Sequence, residues 1–402
     1  MKKRLLFVDD DPNVLNGLRR SLHRMRDEWE MEFVDGAANA LAELEKQPYD
    51  AIISDMRMPG MDGADLLEQV KQRYPDTVRM ILSGQSSRGA VFRSIAPAHQ
   101  FLAKPCDPQE LGNRLRQAFV MRDLLSNQSV KTVVSRMRSL PSLPTLYEEV
   151  MAELRRQEPS FQTIAHIISK DVGMATKILQ LANSAFMGTS GRVSSLLQAL
   201  TLIGLDNVRT LVLSVNVFSQ FDGNAHVAAH LPGMWDHSIA VSKLAQQIAS
   251  AENCGKALLE ECFTAGLLHD LGKVLLMAEL PREALGAYSA KSAMSAEIER
   301  GRLGCTHAEV GAYLISIWGL PLPLVHAVAY HHHPGETGEA NFSPLVAVHV
   351  ADAIVSESDP SPLNHDAALD LEYLKRLGLS ERESVWRALY KNEMSKGVSA
   401  TH

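Results

Sequence analysis

The sequence predicts two fold classes in one chain. A doubly wound, five-stranded parallel α/β sheet comes first, and an all-helical domain follows. Two observations predict this. Through residue 125, short apolar runs alternate with amphipathic helical stretches, the pattern of βα units. After Pro144 the apolar residues recur with a helical period and strand-like alternation largely disappears. A chain of 402 residues, 46% hydrophobic and 22% charged, has room for two or three domains with sizeable cores.

The elements follow in order. Leu5 to Val8 reads as a buried strand, and Asp11-Pro12 as an N-cap with proline in the first helical turn. Val14, Leu15, Leu18 and Leu22 form the helical stripe behind it. Met31 to Val34 is a second strand and Ala37 to Glu45 a second helix. Ala51 to Ser54 is a third strand, after which Asp62 caps a helix carrying Leu66, Leu67 and Val70. Val78 to Leu82 and Gln100 to Ala103 complete the sheet. Asp107 opens a long helix through Leu111, Leu115 and Phe119.

The distinctive polar residues then fall at strand C-termini: Asp9, Asp10, Asp55, Ser83 and Lys104. In an open α/β sheet these ends converge on one crevice. Crowded carboxylates repel unless a cation is present, and oxygen-only ligands suit Mg²⁺. A lysine would balance an added phosphoryl group and a serine hydroxyl could bond one of its oxygens. The predicted chemistry is phosphoryl transfer onto a carboxylate, with Asp55 as nucleophile.

The motifs V-D-D-D-P, S-D-M-R-M-P-G-M-D-G, L-S-G and F-L-A-K-P occur in this order. They make residues 4–125 resemble the receiver domain of two-component response regulators. The resemblance implies that Asp55 is the phosphoacceptor, Asp10 a direct Mg²⁺ ligand and Asp9 a nearby acid of the same site. The Arg57 backbone carbonyl would complete the protein's share of the metal shell. Ser83 and Lys104 would assist the reaction, and Ser83 and Phe101 would form the switch pair. Lys104-Pro105 matches a peptide bond that the family keeps cis.

The second half has helical stripes at Leu146, Val150 and Leu154, at Ile164, Ile167, Ile168 and Val172, and onward through Val215. From Trp235 on, histidines thicken: His237 in W-D-H-S, His269-Asp270 in G-L-L-H-D-L-G-K, His307 in T-H-A-E-V-G, then His331-His332-His333, with Asp352 in V-H-V-A-D. Imidazoles mixed with carboxylates suit Zn, Mn, Fe or Ni better than Mg. An adjacent His-Asp pair lets one carboxylate bridge two metals, and such a site activates water and polarises a phosphoryl oxygen. Equally, several of the 15 histidines could serve only as hydrogen-bonding groups, and His331 to His333 could be a polar helix terminus.

L-P-S-L-P, I-I-S-K-D-V-G-M, I-L-Q-L-A-N-S-A-F and L-T-L-I-G-L, followed by the histidine motifs, make residues 135–335 resemble an HDOD domain, an output module related to the HD phosphohydrolases. Carrying the HD pattern across implies His237, His269, Asp270 and Asp352 around one metal. His307 and His331 or His332 are implied for a second, with Lys273 contacting phosphate. The superfamily's cyclic-di-GMP phosphodiesterases carry H-H-E and then D-G-x-G-Y-P. Here the text is H-H-H-P-G-E-T-G-E, so hydrolysis of that nucleotide is not implied.

The expected boundaries are 1–123 for the receiver, 124–138 for a helical linker, 139–335 for the HDOD domain and 336–402 for helices completing the bundle. The expected protein is a phosphorylated regulator whose output domain binds an unknown protein or nucleotide ligand. The alternative is a phosphorylation-gated, metal-dependent phosphohydrolase. Its donor would be a sensor histidine kinase or phosphotransfer protein, and a homodimer along the connector is compatible with the stripe there. A net charge of −7, no helix-turn-helix signature and no basic stripe after residue 125 argue against direct DNA binding. Four scattered cysteines fit a reducing compartment. The N-terminal apolar run is too short for a signal peptide and no run approaches the ~20 residues of a membrane span. A cytoplasmic location follows as the expectation.

Overall fold

The computed structural model describes residues 2–83, 97–104, 106–124, 129–130, 133–134, 140–141, 144–154, 156, 158–183, 193–205, 208, 218–219, 225–279, 296–358 and 367–399. The first unit runs β1 (Lys3–Asp9), α1 (Pro12–Ser21), β2 (Trp29–Asp35), α2 (Gly36–Lys46), β3 (Ala51–Asp55), α3 (Gly63–Arg73), β4 (Val78–Ser83), β5 (Gln100–Ala103) and α4 (Pro108–Leu124). The strands form a parallel sheet in the order β2-β1-β3-β4-β5. The order reverses between β1 and β3, so their C-terminal ends flank the crevice where such sheets bind ligands. Leu5, Leu6, Phe7 and Val8 are buried, as are all five residues of β3, because helices cover both faces.

Local chemistry sets the helix starts. The Asp11 side chain accepts from Asn13 N and Pro12 fits the first turn. The Asp62 side chain accepts from Asp65 N. Gly63 lies against the end of β3: a Cβ there would sit 2.1 Å from the Asp55 carbonyl oxygen. Only glycine lets α3 approach the strand so closely.

The second unit is helical. It comprises α5 (Pro144–Leu154), α6 (Phe161–Ile168), α7 (Val172–Ala182), α8 (Leu196–Ile203), α9 (Ala225–Ala251), α10 (Lys256–Leu268), α11 (Leu271–Glu279), α12 (Ala296–Leu303), α13 (His307–Ile317), α14 (Leu322–Tyr330), α15 (Pro344–Ser356), α16 (Leu371–Arg376) and α17 (Glu383–Ser399). One departure from all-helical is a parallel ladder of two residues each, β6 (Leu140–Pro141) on β7 (Phe218–Ser219). The described residues end in α17, a helix reaching Ser399. Trp386, fully buried, anchors it by donating its indole N–H to Glu252 on the turn after α9 at 2.9 Å. No helix of the described residues is long and apolar enough to cross a membrane. The connector on which the homodimer expectation rests falls largely outside the described residues.

The two units touch. Gln100 in β5 donates to the Ile317 carbonyl at 2.9 Å, and Arg114 in α4 donates to the Asn183 carbonyl at 2.7 Å. At this seam Lys177 is buried, with its ammonium 4.6 Å from the centre of the Trp318 ring. Burial pushes the Lys177 pKa down to about 7, with Lys71 adding to the effect.

Candidate functional sites in the receiver and in the helical bundle

The crevice of the sheet holds Asp9 from the end of β1, Asp55 from the end of β3 and Lys104 just past β5. The Lys104 ammonium donates to Asp9 Oδ2 at 2.6 Å and forms an ion pair with Asp55 Oδ1. The Arg57 backbone N–H donates to Asp55 Oδ2 at 2.6 Å, so the two Asp55 oxygens face different partners. Asp11 N donates to Asp9 Oδ1 at 3.0 Å, while Asp10 is exposed beside them. Burial works against the Lys104 charge, but Asp55 and Asp9 outweigh it and hold its pKa above the ordinary lysine value. Three carboxylates against one ammonium leave a formal charge of −2, and the donors are all oxygen. That set fits a hard divalent cation such as Mg²⁺. Ser83 ends β4, next to Ala103 in register, and Phe101 lies opposite Ile81; their side chains lie outside what is described. Pro105 is outside the described residues.

The second site sits where α9, α10, α11, α13, α14 and α15 meet. His237 comes from α9, His269 and Asp270 from the junction of α10 and α11, His307 from the first turn of α13, His331 and His332 from the end of α14, and Asp352 from α15. Sequence positions 115 apart meet at 3.1 Å between His237 Nε2 and Asp352 Oδ1. Gly272 makes this possible on one side: a Cβ there would lie 1.9 Å from the His307 carbonyl oxygen, so α11 rests directly on α13. Thr306 caps α13 in a reciprocal capping box with Glu309, which fixes where His307 begins the helix.

Asp270 is central. Its Oδ2 lies 3.5 Å from His269 Nε2 and 3.9 Å from His237 Nε2. Its Oδ1 lies 3.4 Å from His307 Nε2 and 3.8 Å from His331 Nε2. His332 Nε2 approaches His307 Nε2 to 2.9 Å. Three rings have their tautomer fixed from outside. His269 Nδ1 donates to the Gly266 carbonyl at 2.7 Å, His331 Nδ1 to the Val328 carbonyl at 2.9 Å and His307 Nδ1 to Glu299 at 2.8 Å. A donor at Nδ1 leaves the Nε2 lone pair aimed at the centre.

Burial and charge shape the cluster. Burial pushes the His331 pKa down to about 3, helped by His269 and His307. Burial would raise the Asp270 carboxyl, but His269, Lys273 and His307 outweigh it and hold it well below the usual range. Burial opposes charge on His307, and Glu299 more than compensates, so its pKa is raised. Lys273 donates to Asp270 Oδ2 at 2.8 Å. The buried atoms Asp270 Oδ1 and His269 Nε2 make no hydrogen bond among the described residues. Buried polar atoms without partners, converging nitrogen lone pairs and a carboxylate aimed at both fit a pair of transition-metal positions.

Thus His237, His269, Asp270, Asp352, His307, His331 and His332 all come together, and both His331 and His332 face the second half. Two participants escaped sequence reasoning. Glu299 holds His307. His349 donates from Nδ1 to the His331 carbonyl at 2.7 Å and accepts from Asp370 N at 2.9 Å.

Comparison with known proteins agrees with this division. The response regulator receiver domain family matches residues 5–116, and the HDOD domain family matches residues 140–334. An uncharacterized protein of Treponema pallidum is 25% identical over 219 residues, covering 54% of this chain and 42% of its own length. The hydrogenase transcriptional regulatory protein HoxA of Cupriavidus necator is 34% identical over 116 residues, 28% of this chain and 23% of its own. This chain therefore spans less than half the length of either relative. The MmoQ response regulator of Methylococcus capsulatus, a solved structure, is 23% identical with a TM-score of 0.48, covering 62% of this chain and 98% of that one. The chain joins a response regulator receiver domain to an HDOD domain, which is the make-up of a two-component response regulator.

Proposed function

We propose that Asp55 accepts a phosphoryl group from a sensor histidine kinase or phosphotransfer protein. We propose further that this step controls a two-metal phosphoester hydrolase centre in the HDOD domain. The observation that carries the second half is Asp270, whose two oxygens face two different sets of histidines.

In the receiver, an Asp55 oxygen bonds to phosphorus as the donor's bond to phosphorus breaks. The Arg57 N–H holds Oδ2, and the Lys104 ammonium lies beside Oδ1, where it meets the charge of the incoming phosphoryl group. The Ser83 hydroxyl would donate to a phosphoryl oxygen, in concert with Phe101. Mg²⁺, held by Asp10, Asp55, the Arg57 carbonyl and Asp9 nearby, would draw charge from the phosphoryl oxygens when bound.

Helix α13 supports the coupling. His307 stands at its start, and its last carbonyl, Ile317, accepts from Gln100, the neighbour of Phe101. An 11-residue helix spans roughly 16 Å, so a shift of β5 has a stiff route to the histidine centre.

In the HDOD domain, divalent Fe, Mn, Zn or Ni would supply a Lewis acid and an activated water when bound. The fixed Nδ1–H bonds hold the His269, His307 and His331 imidazoles with Nε2 inward, Asp270 spans both halves, and Lys273 offers a cation to a phosphoryl oxygen beside Asp270. A second reading has a specific observation behind it. His269 and His307 are fully buried, and Asp270 and Asp352 nearly so. Such enclosure also suits a structural metal centre in a domain that signals through a bound protein or nucleotide.

Two experiments test these assignments. Acetyl phosphate with Mg²⁺ should phosphorylate the wild type and not Asp55→Ala, as read by intact mass; equal modification refutes the phosphoacceptor. Protein purified without added metal should hold near-stoichiometric transition metal that is lost in His269→Ala. Metal with hydrolysis of a simple aryl phosphodiester supports the hydrolase, metal without it supports the binding module, and no metal sinks the centre.

A further inference from the structure

We infer that Glu299 is a positioning residue that supplies the charge the second metal position lacks. The inference rests on the two-metal reading above. The two halves of the centre are unequal in charge. The half formed by His237, His269, Asp270 and Asp352 has two carboxylates. The half formed by His307, His331 and His332 has only its share of Asp270. Glu299 stands behind that poorer half. It lies on the short helix α12, and its side chain is 0% exposed. Its Oε2 accepts from both the backbone N–H of His307, at 2.6 Å, and Nδ1 of the same residue, at 2.8 Å.

Burying a carboxylate is costly unless a positive partner compensates it. Among the described residues, the ion pair of Glu299 is with His307, and its Oε1 makes no hydrogen bond. The Lys273 ammonium acts on Glu299 from a distance, but the group Glu299 touches is the imidazole. On the far side of that ring, Nε2 faces Asp270 Oδ1 and the Nε2 atoms of His331 and His332 at 2.9–3.4 Å. A cation there completes a chain of carboxylate, imidazole and metal, in which the carboxylate sets the ring's tautomer and raises its basicity. His269 and His331 donate instead to the neutral carbonyls of Gly266 and Val328. The charged partner is thus placed on the half that needs it.

The test is a Co²⁺ titration of the metal-free, full-length chain, followed by ligand-field absorption, with Glu299→Gln as a near-isosteric variant and circular dichroism as the check on folding. The wild type should bind two ions. Glu299→Gln should keep the first with wild-type affinity and weaken the second by about 10–100-fold. Two ions at unchanged affinity overturn the inference and leave the two-metal centre standing. Equal weakening at both positions assigns Glu299 a general structural role and overturns it too. A wild type that binds no Co²⁺ overturns the two-metal reading itself, and this inference with it.

Discussion

At the end of the parallel sheet, water reaches the charged groups: the Asp55 side chain is 12% exposed and Lys104 26%. In the helical bundle the His269 and His307 side chains are wholly buried and Asp270 is only 5% exposed. The first cluster is oxygen and ammonium at a rim. The second is nitrogen and carboxylate in a closed pocket. A hard ion on a rim exchanges with solvent and leaves room for an incoming phosphoryl group. A borderline metal held by buried imidazoles, three of them fixed by an outer hydrogen bond, would be retained. One chain thus carries a site suited to turnover of a signal and another suited to keeping its equipment.

Predictions sharpen or break this contrast in descending size. Asp270→Ala should lower affinity at both metal positions by more than about 100-fold, since one carboxylate serves both. Asp55 should still be phosphorylated in that variant; loss of both, with folding intact, would break the assignment of each site to its own unit. Next come the two glycines. Gly272→Ala should destabilise by about 1–3 kcal/mol and cut metal retention, and Gly63→Ala should do the same to acetyl-phosphate labelling. Each defect should be largest at its own site, as read by urea unfolding, metal content and labelling.

The smallest effect concerns the seam. Lys177, at a pKa of about 7, binds fewer protons folded than unfolded between that pH and the ordinary lysine value. Stability should therefore rise as pH rises through that window. Lys177→Met should flatten the rise and add about 1–2 kcal/mol at pH 7, as read by urea unfolding. An unchanged slope would show that the ammonium is solvated and the seam open.

Much of this was legible beforehand for a physical reason. βα alternation forces residues at strand ends into one crevice, so Asp9, Asp55 and Lys104 group together from the sequence alone. The histidines were legible as ligand types, but periodicity does not say which rings face which. His331 and His332 remained alternatives until the end of α14 presented both. Glu299 and His349 were invisible, because a group that braces one imidazole can come from any direction and leaves no spacing. Gln100 and Arg114 looked like ordinary polar residues, since a seam between units has no period of its own. The β6–β7 ladder is too short to alternate. The length of α17 depends on burying Trp386 against the bundle, a tertiary effect.

Asp352, the carboxylate that meets His237, lies on α15, past residue 334, where the HDOD match ends. This sets an order of events during synthesis. The residues that line the receiver's acidic crevice have all been made by residue 104, whereas those of the histidine centre wait for residue 352. At translation rates of about 5–20 residues per second, the gap is on the order of 10–50 s. For that interval a nascent chain carries every residue of the acidic crevice and an incomplete histidine cluster.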